Sequence, residues 1–131
     1  MFYLGIDLGT SSVKMVLIDE TGHILNTVSG DYPLSFPKTG WSEQAPEDWW
    51  AQTKTCVAKV LEGYDKTQLA GISFGGQMHG LVILDEADNV IRPAILWNDG
   101  RTTAQTDYLN HTIGMDKLAK YTANIAFAGF T

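Results

Sequence analysis

Two apolar runs stand too close together to be anything but an antiparallel pair. Phe2–Leu8 and Val13–Ile18 are separated only by Gly9-Thr10-Ser11-Ser12, and parallel neighbours would need a crossover of a dozen residues or more. In the second run Val13, Met15 and Leu17 alternate with Lys14, Val16 and Ile18. That is the period of a strand, and its near-continuous apolarity predicts burial on most of both faces. Asp19-Glu20-Thr21-Gly22-His23 is turn chemistry with Gly22 at its tip. The stretch from Ile24 to Tyr32 returns as a third strand, so the chain opens as a meander. One residue sits badly in it. Asp7 places a carboxylate in an apolar strand, where Asp is depleted and an unpaired charge is costly.

The organisation then changes. Pro33, Pro37, Gly40 and Pro46 punctuate an irregular loop. Pro46 suits a first helical position, and Glu47 and Asp48 suit the positive end of the helix dipole. Trp49, Trp50, Thr53, Val57, Val60, Leu61 and Tyr64 recur at helical spacing as a core-facing set, with Gly63 as the stop. Ala45 is a poor N-cap, so another group must meet the first N–H groups. Residues 69–74 read as a fourth strand ending at "GGQMHG". Residues 81–85 and 90–97 read as a further pair of strands around the "EADN" turn, and 101–112 and 115–122 as helix. Three strands, a helix, a strand, a hairpin-like extension and more helix predict an α/β fold with a mixed sheet, not a uniform βαβ alternation. The apolar ending "IAFAGFT" (125–131) predicts a piece of something longer, prone to self-association when left uncovered.

Composition excludes several functions. The 131 residues are 44% hydrophobic and 18% charged, with a formal net charge of −6 and scattered Lys and Arg. Nucleic acid would need a basic stripe, and so would an anionic membrane surface. Cys56 is the one cysteine, so no internal disulfide and no cysteine metal cluster can form. No apolar run approaches a membrane span, and no secretory signal is read. A cytoplasmic protein is the expectation.

Three motifs carry chemistry. In "DLGTSS" (7–12), Asp7 at a strand end can hold Mg²⁺ directly or through its waters, Gly9 lets a phosphate approach the backbone, and Thr10, Ser11 and Ser12 add hydroxyl donors. There is no Gly-Lys pair of the Walker kind. The same residues also suit a plain hairpin turn whose Asp caps local N–H groups, and the motif alone leaves both readings open. In "GGQMHG" (75–80), Gln77 and His79 offer directed hydrogen bonds beside the adaptable apolar Met78, the mixture a small polyol or sugar requires. A turn with a satisfied His is the plainer reading. In "WNDGRT" (97–102), Asn98 and Asp99 could reach a bound hydroxyl, with Arg101 bracing them as an ion pair. Otherwise Asp99-Gly100 is a turn, Asp99 or Thr102 a helix cap, and Arg101 solvated, which is the expectation for Arg101. Trp41 and Trp97 lie where rings could line a pocket. His23 and His111 lie in a turn and on a polar helix, and neither is a catalytic candidate.

Together these residues resemble a known family. "GIDLGTSSVK" (5–14) is similar to the first phosphate loop of the FGGY carbohydrate kinases, within the actin, hexokinase and heat-shock ATPase superfamily. "GWSEQAPEDWW" (40–50), "GISFGGQMHG" (71–80) and "PAILWNDGRT" (93–102) follow in that family's order and spacing. The last three resemble its xylulokinase branch in particular. The resemblance implies a ribonuclease-H-like fold, with residues 1–131 as the N-terminal portion of domain I, the rest of domain I and domain II lying beyond. It implies ATP and Mg²⁺ as cofactors, with Asp7 at the metal and γ-phosphate and Gly9, Thr10, Ser11 and Ser12 in the phosphate grip. Gln77, Met78, His79 and Asp99 would serve D-xylulose. The catalytic base would lie downstream, so the isolated chain is expected to be inactive. The resemblance leaves room for a homodimer of the full-length enzyme. A gluconokinase or other sugar kinase of the family, a non-kinase actin-like ATPase, and a sugar-binding module without catalysis are the competing readings.

Overall fold

The computed structural model describes residues 1–130. They form two compact units: residues 1–33 with 46–77, and residues 34–45 with the described residues from 78 onward.

The first unit is built on a four-stranded sheet of β1 (Phe2–Leu8), β2 (Ser12–Asp19), β3 (Ile24–Asp31) and β5 (Leu69–Gly76), in the order β3-β2-β1-β5. The β1–β2 and β2–β3 pairs are antiparallel, as the short turns require, and β5 lies parallel to β1. The sheet is therefore mixed. Helix α1 (Pro46–Val60) packs across β2 and β3. It buries Leu4, Ile6, Val13, Met15 and Leu17 with Cys56 and Val60. Contact is close at Gly30, where a Cβ would stand 2.7 Å from Cys56 Sγ and 2.8 Å from Gln52 Oε1.

Two expectations need correction here. Strand β2 is not buried on both faces: Val13, Met15 and Leu17 are buried, while Lys14 is exposed and Val16 and Ile18 are half-buried. Helix α1 covers one face, and the apolar character of the strand does not by itself say how many faces find a cover. Trp49 packs against the core, but Trp50 is 63% exposed. Consecutive helical residues point about 100° apart, so both cannot face one sheet.

In the second unit β4 (Glu43–Gln44) pairs antiparallel with β6 (Ala94–Ile95). The expected hairpin of 81–85 with 90–97 forms only in part, through bridges Leu84–Val90 and Leu81–Ile95. The return side carries two more residues than the outgoing side between these bridges. Pro93, one of the residues in that stretch, has no N–H to give a ladder. Asp85 Oδ1 accepts from the Ala87 and Asn89 amides and shapes the turn. The predicted helices appear as α2 (Thr103–Asp107), a wide π turn over Tyr108–Gly114, and α3 (Met115–Thr122).

Candidate functional site

In the first unit the sheet brings the glycine-rich ends of β1 and β5 side by side. Asp7 is exposed near the end of β1, opposite Lys14 on β2 and beside Gly75 on β5. A Cβ on Gly75 would stand 3.9 Å from Asp7 Oδ1, so the bare glycine leaves the carboxylate open on that side. The Gln77 amide extends the parallel pairing by donating to Leu8 O at 2.8 Å. Between β1 and β2 the loop closes on itself. Gly9 N–H donates to Ser12 O at 3.0 Å, and a Cβ on Gly9 would crowd that same oxygen at 3.1 Å. The Gly9 amide is thus engaged by the turn, and what the glycine supplies is the tightness of the loop.

Tyr32 joins this group. It is buried, and its hydroxyl donates to Gly9 O. Burial, and then the charge of Asp7, push its phenol up to about 12. Its sequence position at the end of the expected third strand gives no sign of this.

In the second unit Met78 is 55% exposed. His79 has a positive φ of 61°, unusual for a residue with a side chain. Its ring stacks on Phe130 with centroids 4.5 Å apart and planes 21° apart. His79 and Phe130 together border two cavities. One, of about 350 Å³, runs to Leu81, Ile95, Asp99 and Thr102. The other, of about 400 Å³, runs to Leu109, Leu118 and Ile125. Directed polar groups beside apolar walls are what a small polyol needs.

A charged clasp lies under this region. Asp99 is 2% exposed, and both its oxygens are engaged. Oδ1 accepts from Arg101 N and Nε, each at 2.8 Å, and Oδ2 accepts from Arg101 Nη2 at 2.8 Å and Ser42 N at 2.7 Å. Burial alone would raise the Asp99 carboxyl, but the hydrogen bonds from Arg101 and Ser42 outweigh it and hold the group below the usual carboxylate range. Arg101 also meets Glu43 at 2.7 Å, and Glu43 meets Arg92 at 2.8 Å. The Arg101 guanidinium lies 3.8 Å from the centroid of Trp41.

Arg101 is therefore not the solvated side chain expected of it. The Asp99–Arg101 spacing was visible in the sequence, but Glu43 and Trp41 lie more than fifty residues away and only the fold supplies them. Asp99 enters this region as the anchor of the 97–102 turn, with its carboxylate committed to protein partners.

The residues present fit a phosphate-bearing ligand with Mg²⁺. Among the described residues no three His, Cys, Asp or Glu groups converge on a point. A lone open carboxylate beside three hydroxyl residues suits Mg²⁺, which keeps several of its own waters. Among the described residues no helix is long and apolar enough to cross a membrane.

Comparison with known proteins gives a consistent result. Residues 2–131 match the FGGY family of carbohydrate kinases, N-terminal domain. The chain is 47% identical over 132 residues to a xylulose kinase of Lactococcus lactis, covering 99% of this chain and 26% of that protein. It is 41% identical over 130 residues to a xylulose kinase of Staphylococcus xylosus, covering 99% and 27%. The crystal structure of a xyloylose kinase from Brucella ovis superposes with a TM-score of 0.90 at 40% identity, covering all of this chain and 27% of that one. The chain spans about a quarter of the length of the curated relatives it matches.

Proposed function

We propose, since this chain belongs to the FGGY family of carbohydrate kinases, that it is the N-terminal part of the first domain of a kinase acting on D-xylulose. Its mixed α/β fold is that of the corresponding portion of the family's actin-like ATPase domain. The reaction is ATP plus D-xylulose giving D-xylulose 5-phosphate and ADP. The observation that carries the choice of sugar is the identity, 41% and 47% over 99% of the chain, to proteins named xylulose kinase.

In this reading the two units serve different reactants. Asp7 faces the metal and the transferred phosphate, and Gly9 to Ser12 form part of the phosphate grip. Mg²⁺ supplies charge neutralisation on the phosphate oxygens when bound. Met78 and His79 contact the sugar, His79 by a directed hydrogen bond and Met78 as an apolar wall. Gln77 and Asp99 hold the ends of the segments that present them. Phosphoryl transfer depends mostly on positioning and charge stabilisation, with an acidic group to take the hydroxyl proton. That base, the rest of the first domain and the second domain lie outside these 131 residues. Closure of the complete site keeps water from competing with the sugar as acceptor.

The test is a coupled ADP-release assay on the full-length protein with Mg-ATP and D-xylulose, gluconate or glycerol. D-xylulose should give the highest kcat/KM. Preference for gluconate would move the protein to another branch of the family, and no sugar-dependent ADP release with any of them would end the kinase reading.

A further inference from the structure

We infer that Tyr32 is a positioning residue for the nucleotide phosphates, acting by fixing the Gly9–Ser11 loop from the end of β3. The inference rests on the reading of that loop as the phosphate grip. Two bonds from one residue carry it. The Tyr32 hydroxyl donates to Gly9 O, and the Tyr32 backbone N–H donates to Ser11 O at 3.1 Å. The loop's first and third residues are thereby held by a single side chain and its own amide.

The direction of these bonds matters. In a trans peptide the C=O and N–H lie in one plane and point in opposite directions across the C–N bond, and the described residues contain no cis bond. Fixing the Gly9 carbonyl toward Tyr32 fixes the following amide, that of Thr10, away from it. A loop this rich in small residues has many conformations open to it when free. An anion-binding turn works by presenting N–H groups and hydroxyls already oriented. Tyr32 is 5% exposed and belongs to the apolar core shared by the sheet and α1, so the anchor is itself immobilised. The Gly9 N–H to Ser12 O bond closes the loop along the strand direction; Tyr32 holds it from β3.

The sheet contains its own control. The Tyr64 hydroxyl also donates to a backbone carbonyl, Leu25 O at 2.9 Å, and does not touch the loop. In the full-length protein, Tyr32→Phe and Tyr64→Phe each remove one phenol–carbonyl bond and keep the ring. Binding of Mg-ADP and of D-xylulose is measured by calorimetry, and amide hydrogen exchange is followed in a peptide spanning residues 8–13 without ligand. Tyr32→Phe should weaken Mg-ADP about 5- to 10-fold, leave D-xylulose affinity within about twofold, and speed exchange in the 8–13 peptide. Tyr64→Phe should change none of these. Wild-type protein that binds Mg-ADP while Tyr32→Phe binds it equally well would overturn this inference and leave the kinase reading standing. Wild-type protein that binds no Mg-ADP would overturn both.

Discussion

The two units are held together by different physics. In the first, the deeply buried side chains are Leu4, Val13, Met15, Leu17 and Val60, an apolar set shared between one sheet face and one helix. In the second, Ser42, Gln44 and Asp99 are buried about as deeply as Leu96 and Ala94, and the Asp99–Arg101–Glu43–Arg92 chain of charges ties two remote segments. An apolar core tolerates changes of shape if volume is kept. A buried ionic network does not tolerate loss of one partner, because the other charge is left without compensation. The first unit presents the Gly9–Ser12 loop, proposed above as the phosphate grip, on a sheet whose position follows from burial. The second has little regular ladder, and directional charge pairs tie its 42–43 segment to Arg92 and to the 99–101 turn.

The largest effect should come from breaking the clasp. Arg101→Met keeps bulk but leaves Asp99 and Glu43 short of their main partner, and should cost about 3–5 kcal/mol. Urea unfolding of the full-length protein gives the size. Amide exchange should rise in 40–45 and 94–101 and stay unchanged in 2–19. Equal change in both stretches would mean that the clasp does not stabilise the second unit selectively.

Leu4→Ala should do the reverse. The side chain is 1% exposed, and its truncation should cost about 2–5 kcal/mol, with exchange rising in 2–19 first. A smaller effect is expected at Gly30→Ala, which drives a methyl against Cys56 Sγ at about 1–3 kcal/mol. Adding Cys56→Ala should recover part of that loss. No recovery would mean the helix–strand contact is not what limits the site.

Acid sharpens the comparison further. Asp99 has its carboxyl held below the ordinary value, so its contribution is present above about pH 4 and is lost as pH falls through its own lowered value. In the first unit Asp19, at the end of β2 and held down to about 2 chiefly by the Thr21 hydroxyl, remains open to solvent screening and contributes little by comparison. Exchange at 40–45 and 94–101 should therefore accelerate below pH 4 before exchange at 2–19. Simultaneous loosening would assign acid sensitivity to the chain as a whole.

The parts of the fold that were legible in the sequence are those set by local rules. Turns of four and five residues forced the meander, and Pro46 with two acidic neighbours marked the start of α1. The misjudged parts depend on what covers a residue. The Lys14–Val16–Ile18 face of β2 and Trp50 read by pattern as mostly buried and core-facing, yet whether a face is covered is decided by elements elsewhere in the chain. Pro93 signalled the broken ladder between 81–85 and 90–97, but the two-residue excess on the return side emerges only from the pairing. At the site, Asp7, the Gly9 loop and His79 stand out by composition. Tyr32 and Glu43 do not, because each acts through a partner more than twenty residues away.

In the proposed function the first unit serves the nucleotide and the second serves the sugar. The direct measurement is a crossed binding experiment on the full-length protein with Asp7→Asn and His79→Ala, titrated by calorimetry with Mg-ADP and with D-xylulose. Asp7→Asn should weaken Mg-ADP and leave D-xylulose binding unchanged. His79→Ala should weaken D-xylulose by about 1–3 kcal/mol, roughly 5- to 150-fold in Kd, and leave Mg-ADP unchanged. Loss of both ligands in either variant, or of the same ligand in both, would contradict the division of labour.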